Sequence, residues 1–366
     1  MSLARLALPA VFLAAACGAI AEDPHRCGAQ DLDCLGGTCS SGVCGPVTLA
    51  SGIKWGKVLT IDSTRVYWAD QQLNVSMVPK SGGSPTRLAT LPGSDQIVSI
   101  ATDGTYVYVA TFGLDPASGV YRIPTDGSPA TLLDAVVYAT SVAVDSRGCV
   151  EWSYWGDVGS SSSKQGAIAR LCAGATKPEI LADAAGQSPT SLAVDATATF
   201  WAENVPLVLT GFADPCGDSP AAIRMLSATS PPVTVARGYP AGAGYNTGLA
   251  SDGAALYWRD QCSGTVYRMP HGASSPTALA KVSTTPAEPG LLGPGGYYYP
   301  GLVAVDALGA YTSSDAGVVR VPKDGGATVL VAAGKHPEDM AVDDTRIYLL
   351  TSEGDIGDIV VYAKPR

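Results

Sequence analysis

Charged residues make up only 15% of this 366-residue chain. That is well below the usual quarter of a globular protein and argues against long solvent-facing helices. Basic residues are the scarcer sign: 23 Lys and Arg stand against 33 Asp and Glu, a formal charge of -10 and a pI near 4.7. Such a chain has no electrostatic footprint for a phosphate backbone, so nucleic acid is excluded as a partner. Histidine is nearly absent, with only His25, His271 and His336. No GxSxG nucleophile elbow, P-loop or EF-hand loop occurs, and the sequence therefore assigns no catalytic residue, metal ligand or cofactor. Beyond the N-terminus no stretch reaches the ~18 to 20 apolar residues of a membrane helix.

What the chain has instead is turn chemistry, with 42 Gly and 26 Pro. Its first 16 residues, MSLARLALPAVFLAAA, set Arg5 before an apolar run from Leu6 to Ala16. This is the pattern of a signal peptide. Ala14, Ala15 and Ala16 before Cys17 resemble a bacterial lipobox, which implies lipidation of Cys17 and a linker over 17–26. Leu13 lies four residues before the cysteine rather than three, and Ala19-Ile20-Ala21 offers an ordinary cleavage site. The expected location is the cell envelope, as an outer-membrane or periplasmic lipoprotein, or else secretion.

Nine cysteines in an exported chain become eight once Cys17 is acylated, and eight can all pair. Cys27, Cys34, Cys39 and Cys44 crowd into a segment, 27–45, with almost no large apolar side chains, which needs covalent staples in place of a core. The spacings contain no CxxC pair and the compartment is oxidising, so disulfides are expected rather than zinc. Four cysteines allow three pairings, and the sequence does not choose among them.

From residue 46 onward one unit recurs. Its first element reads LTID, IATD, VAVD, LAVD, LASD, VAVD and MAVD, ending at Asp62, Asp103, Asp145, Asp195, Asp252, Asp306 and Asp343, at intervals of 41, 42, 50, 57, 54 and 37 residues. The second is aromatic: VYWAD at 66, YVYVAT at 106, SYWGD at 153, TFWAE at 199, LYWRD at 256, GAYTS at 309 and RIYLLT at 346. The third often bears arginine and ends in Gly-containing turns, as in VYRIPTDG at 120 and VVRVPKDGG at 318. A Pro-Thr-x-Leu-Ala stretch follows.

Four short strands per unit of about 40 residues match a propeller blade. With VYWAD and LYWRD as the nearest local matches, the repeat resembles the YWTD and NHL type of β-propeller over residues 46–366. The whole layout is similar to the secreted cysteine-rich propeller lipoproteins of myxobacteria. That resemblance implies fold and location, and it brings no catalytic residues. The expected fold is thus all-β: a disulfide-rich segment followed by a seven-bladed propeller. The seventh unit stops after three strands, while an orphan PVTLAS stands at 46–51, so the N-terminal strand should complete the last blade. Ala101, Ala143, Ala193, Ala250, Ala304 and Ala341, with Thr60 as the exception, sit two residues before the aspartates, where innermost strands converge.

In this frame the repeat aspartates fall at turns, where Asp bonds local amides, rather than forming a metal ring. His271 and His336 should lie on opposite faces. Cys149 and Cys172 should face each other across a hairpin of blade 3, and Cys216 should pair with Cys262 from equivalent loops of neighbouring blades. The long insertions, 156–167, 204–222, 238–248 and 283–301, all emerge on one face, which marks a binding surface. Seven residues before each aspartate stand Trp55, Gln96, Tyr138, Ser188, Tyr245, Tyr299 and His336, a ring expected at the channel mouth, with Glu338 and Asp339 as nearby carboxylates. Flat amphipathic rings suit sugars or small planar molecules, and the competing expectation is packing between blades. The expected function is a binding or scaffolding module for a protein, saccharide or small-molecule ligand. The rival is a propeller lyase or hydrolase.

Overall fold

A computed structural model describes residues 39–40, 43–93, 95–156, 165–183, 188–204, 222–227, 230–238, 248–260, 262–283 and 302–364. Seven four-stranded antiparallel sheets follow one another along the chain, and a separate two-stranded hairpin, Cys39–Ser40 with Val43–Cys44, precedes them. Blade 1 holds Gly56–Ile61, Arg65–Asp70, Asn74–Pro79 and Thr86–Thr90, from the innermost strand outward. Blade 2 holds Gln96–Thr102, Tyr106–Phe112, Val120–Pro124 and Thr131–Asp134. Blade 3 follows with Ala139–Val144, Val150–Gly156, Gln165–Leu171 and Glu179–Asp183, and blade 4 with Ser188–Val194, Ala198–Asn204, Ala222–Ser227 and Ser230–Arg237. Leu249–Ser251, Ala255–Arg259, Thr265–Pro270 and Thr277–Lys281 make blade 5. Ala304–Val305, Gly309–Ser314, Gly317–Pro322 and Val329–Ala333 make blade 6.

Blade 7 takes three strands from the C-terminus, Asp339–Val342, Arg346–Glu353 and Ile356–Ala363. Its outer strand is Val47–Lys54, paired antiparallel with Ile356–Ala363. The innermost strands of successive blades touch all the way round, blade 7 against blade 1 included. The molecule is a seven-bladed β-propeller closed by its N-terminal strand, as the orphan strand in the sequence required.

Apolar clusters fill the seams between blades. Tyr67, Val75, Val107 and Val109 join blades 1 and 2; Leu49, Ile53, Trp68, Tyr348 and Ile359 join blades 7 and 1. Burial of such side chains contributes roughly 1.5 to 3 kcal/mol each. Each innermost strand has a partner on one side only, which leaves backbone N–H groups along its free edge. Several of these are satisfied from the neighbouring blade. Val142, Leu192 and Leu249 donate their backbone N–H to the hydroxyls of Ser99, Ser141 and Ser191 at 3.0, 3.3 and 3.1 Å. Leu59 donates to the Asp339 carboxylate at 2.7 Å across the closing seam.

One sequence assignment needs correction. In blade 3 the Tyr-Trp pair of SYWGD does not occupy the motif position: Ala143 pairs with Glu151, as Thr60 pairs with Tyr67 in blade 1 and Ala101 with Tyr108 in blade 2. The turn after Asp145 is one residue longer than its counterparts, which shifts the register. Glu151-Trp152 is therefore the true equivalent, and Trp155 lies three residues further along, at the strand end.

Candidate functional site

The two faces of the ring are built differently. One carries the turns that link the innermost to the second strand and the third to the outer strand, and here the repeat aspartates are used alike. One carboxylate oxygen accepts two local backbone amides: Thr64 and Arg65 for Asp62, Thr105 and Tyr106 for Asp103, Thr197 and Ala198 for Asp195, Thr345 and Arg346 for Asp343. The other oxygen accepts a tyrosine hydroxyl five residues on in five blades, from Tyr67, Tyr108, Tyr257, Tyr311 and Tyr348, at 2.7 to 3.0 Å.

A cation from the next blade completes the motif at several seams. Lys80 reaches Asp343 at 2.7 Å, Lys323 reaches Asp252, and Lys364 reaches Asp306. His271 stands 3.4 Å from Asp195 and stacks on Phe200. Burial alone would push the Asp252 and Asp343 carboxyls up. Hydrogen bonds from the lysines, the backbone amides and the tyrosines together outweigh it and hold each pKa at about 2. Burial first, then the anionic aspartates, push Tyr67 and Tyr257 up to about 12 against the pull of Arg65 and Arg268. These turns are fastenings. Among the described residues no group of three or more His, Cys, Asp or Glu is placed to hold a metal ion.

The opposite face carries the loops from second to third strand and the connections between blades, and its residues do not repeat. Phe112 ends the second strand of blade 2, Tyr138 enters blade 3, and Trp155 closes the second strand of blade 3. Their rings form one half-buried cluster: Phe112 and Tyr138 centroids are 4.9 Å apart, Phe112 and Trp155 meet edge to face at 5.0 Å, and Tyr138 and Trp155 are 6.2 Å apart. Trp155 Nε1 donates to the Pro189 carbonyl of blade 4 at 3.1 Å. Three blades thus hold the cluster. Of its members only Tyr138 was singled out in the sequence; Phe112 and Trp155 share a strand-end position that is Gln71 in blade 1 and Ser352 in blade 7, so no repeat signal marked them.

The predicted ring is placed as follows. Trp55 and Tyr138 are half-buried and share a left-handed backbone at φ 53°, unusual for bulky side chains and a mark of local strain. Both donate to the preceding blade, Trp55 to Asp355 O at 3.0 Å and Tyr138 to Gly113 O at 3.1 Å, so they are equivalent loop anchors. Gln96 and His336 are exposed. Ser188 opens the innermost strand of blade 4. Tyr245 and Tyr299 lie outside the described residues, as do the middle parts of the long insertions between elements. Glu338 sits at the closing seam, accepting from Ser352 at 2.6 Å with Lys57 3.6 Å away. Asp339 is fully buried and caps the Leu59 and Met340 amides, beneath the mouth rather than in it.

Cys149 and Cys172 form a disulfide across the foot of the blade 3 hairpin, beside the paired Val150 and Leu171. Cys44 and Cys262 each belong to a further disulfide. Cys17, Cys27, Cys34 and Cys216 lie outside the described residues. No helix among the described residues is long and apolar enough to cross a membrane.

The sequence matches no protein-family model and no curated protein. Solved structures resemble it in fold. YCF48 bound to a D1 peptide aligns with a TM-score of 0.54 and 9% identity, over 88% of this chain and 95% of its own. PorZ, a surface component of the type-IX secretion system of Porphyromonas gingivalis, aligns with a TM-score of 0.51 and 13% identity, over 88% of this chain and 39% of its own. A nidogen/laminin complex aligns at 0.43 with 20% identity, over 61% and 78%. At these identities the likeness is one of fold.

Proposed function

We propose that this chain is an exported propeller, anchored through Cys17, that serves as a binding or scaffolding module at the cell envelope. Its partner docks on the face bearing Phe112, Tyr138 and Trp155, and the partner is an extended peptide segment of another protein. The observation that carries this reading is the contrast between faces. The repeat aspartates of one face are spent on its own turns and clasps, whereas the other face presents partly exposed aromatic rings held rigid by three blades. Rigid aromatic anchors lose little entropy on binding and dominate interface energetics. A peptide seated on a chain of similar fold, YCF48, supports the class of occupant.

Two measurements test the proposal. The mature N-terminus should carry lipid on Cys17, and an unmodified chain starting at Glu22 would overturn the anchor. For the face, peptides are selected from a random library against the full chain, and hydrogen exchange is read with and without the tightest one. Protection should appear in 112–119, 135–138 and around Trp155. A footprint on the aspartate turns would contradict the assignment.

A further inference from the structure

The repeat is broken most thoroughly at one seam, and a cavity opens there. In blade 3 the position filled by Tyr67, Tyr108, Tyr257, Tyr311 and Tyr348 in other blades is Glu151, which is 1% exposed and accepts the Thr199 hydroxyl of blade 4 at 2.6 Å. Glutamate is shorter than tyrosine and does not reach the turn aspartate. Asp145 is held instead by Arg147 of its own turn. The residue after the third strand, which supplies Lys80, Lys323 and Lys364 elsewhere, is Ala228 in blade 4, outside the described residues; no cation is available from it.

Among the described residues this seam also has the thinnest apolar filling. Ile168, Ala182, Leu192 and Trp201 form its cluster, four buried residues where every other seam has eight or more. The space left is a groove of about 470 Å³ on the aspartate face, running from Arg147 and Thr199 past Arg170 to Leu181, Leu226 and Pro231. It falls in the size range of small-molecule sites.

The chemistry of the lining selects the occupant. Arg170 is the cross-strand partner of Glu151 and corresponds to Arg268, whose Nε donates to the Tyr257 hydroxyl. With glutamate in place of that tyrosine, Arg170 Nε is buried and has no hydrogen-bond partner, although its other nitrogen holds Glu179 at 2.9 Å. A buried donor left without an acceptor destabilises the fold, so an acceptor placed there is favoured. Both arginines are already ion-paired, Arg147 with Asp145 and Arg170 with Glu179, and Asp195 adds a carboxyl to the lining. The lining offers donors and acceptors side by side with no surplus positive charge. An anion is therefore disfavoured. A neutral ring whose hydroxyls both donate and accept, and whose C–H face can lie on Leu181, Leu226 and Pro231, matches it.

We propose that the groove between blades 3 and 4 is a binding site for a neutral saccharide unit, with Arg170, Thr199 and Asp195 as its polar contacts. It lies on the face opposite the aromatic cluster and does not depend on the function proposed for that face.

Saturation-transfer NMR on the full chain with glucose, galactose, cellobiose, lactose and glucuronate tests it. At least one neutral sugar should bind at millimolar concentration, with glucuronate weaker. Glu151→Tyr, which restores the repeat residue and offers Arg170 Nε the partner that Arg268 has in Tyr257, should abolish that binding while the melting temperature holds or rises. Arg170→Met, at the groove rim, should weaken binding at least tenfold with the melting temperature unchanged, and it decides the matter if Glu151→Tyr does not fold. Binding of glucuronate alone, no binding of any probe, or sugar binding retained in the folded variants would overturn the proposal.

Discussion

The turn aspartate is the residue on which most of this architecture depends. Asp343 accepts from the Thr345 and Arg346 amides, the Tyr348 hydroxyl and the Lys80 ammonium of blade 1, so a single carboxylate ties a turn, a core ring and the closing seam together. Asp343→Ala should lower stability by about 1 to 2 kcal/mol, since four donors, three of them part-buried, lose their acceptor at once. The pH dependence has a fixed sign. The Asp252 and Asp343 carboxyls have folded pKa values near 2, below the ordinary 3.8, so their contribution is complete above about pH 4 and is lost as pH falls from 4 toward 2. Tyr67 and Tyr257 are raised from 10 to about 12, so theirs is complete below pH 10 and is lost between 10 and 12. Thermal melts across pH should show a plateau bounded by these two windows, and a wild-type melting temperature that stays level from pH 4 down to 2 would remove the carboxylates from the account.

At the level of elements, the strand Val47–Lys54 is the one whose place in sequence and place in space differ most. It pairs with Ile356–Ala363, and Leu49, Ala50 and Ile53 enter the same cluster as Tyr348 and Leu350. Removing residues 46–51 should expose a sheet edge, reduce the melting temperature sharply and promote aggregation; a truncated chain that melts like the full one would refute closure by this strand. This latch was legible because the seventh unit lacked a strand that an orphan supplied. The blade order and the disulfide Cys149–Cys172 were legible for the same reason, since both follow from period and hairpin register. The blade 3 register was not, because one extra turn residue and a second aromatic pair, Tyr154-Trp155, mimic the motif. Glu151 was hidden by that same shift. Asp339 read as a mouth residue because sequence alternation does not tell a side chain aimed at a neighbouring blade from one aimed at solvent.

For the molecule as a whole, the closed ring has two unlike faces: the aspartate turns and lysine clasps fasten one, and the other does not repeat, which is the ground for proposing that it is a recognition surface. A ring of near-identical blades gives every seam the same geometry, so function has to reside in departures from the repeat. Phe112, Tyr138 and Trp155 are one such departure, and because Trp155 is both the largest ring and the one bonded across to Pro189, it is the residue on which binding should turn. The most direct measurement is the affinity of the tightest selected peptide for Trp155→Ala, with Lys323→Ala on the opposite face as the control. A loss of about 2 kcal/mol, roughly thirtyfold, is predicted for Trp155→Ala with Lys323→Ala unchanged. Equal affinity for Trp155→Ala and the native chain, or a loss confined to Lys323→Ala, would contradict it.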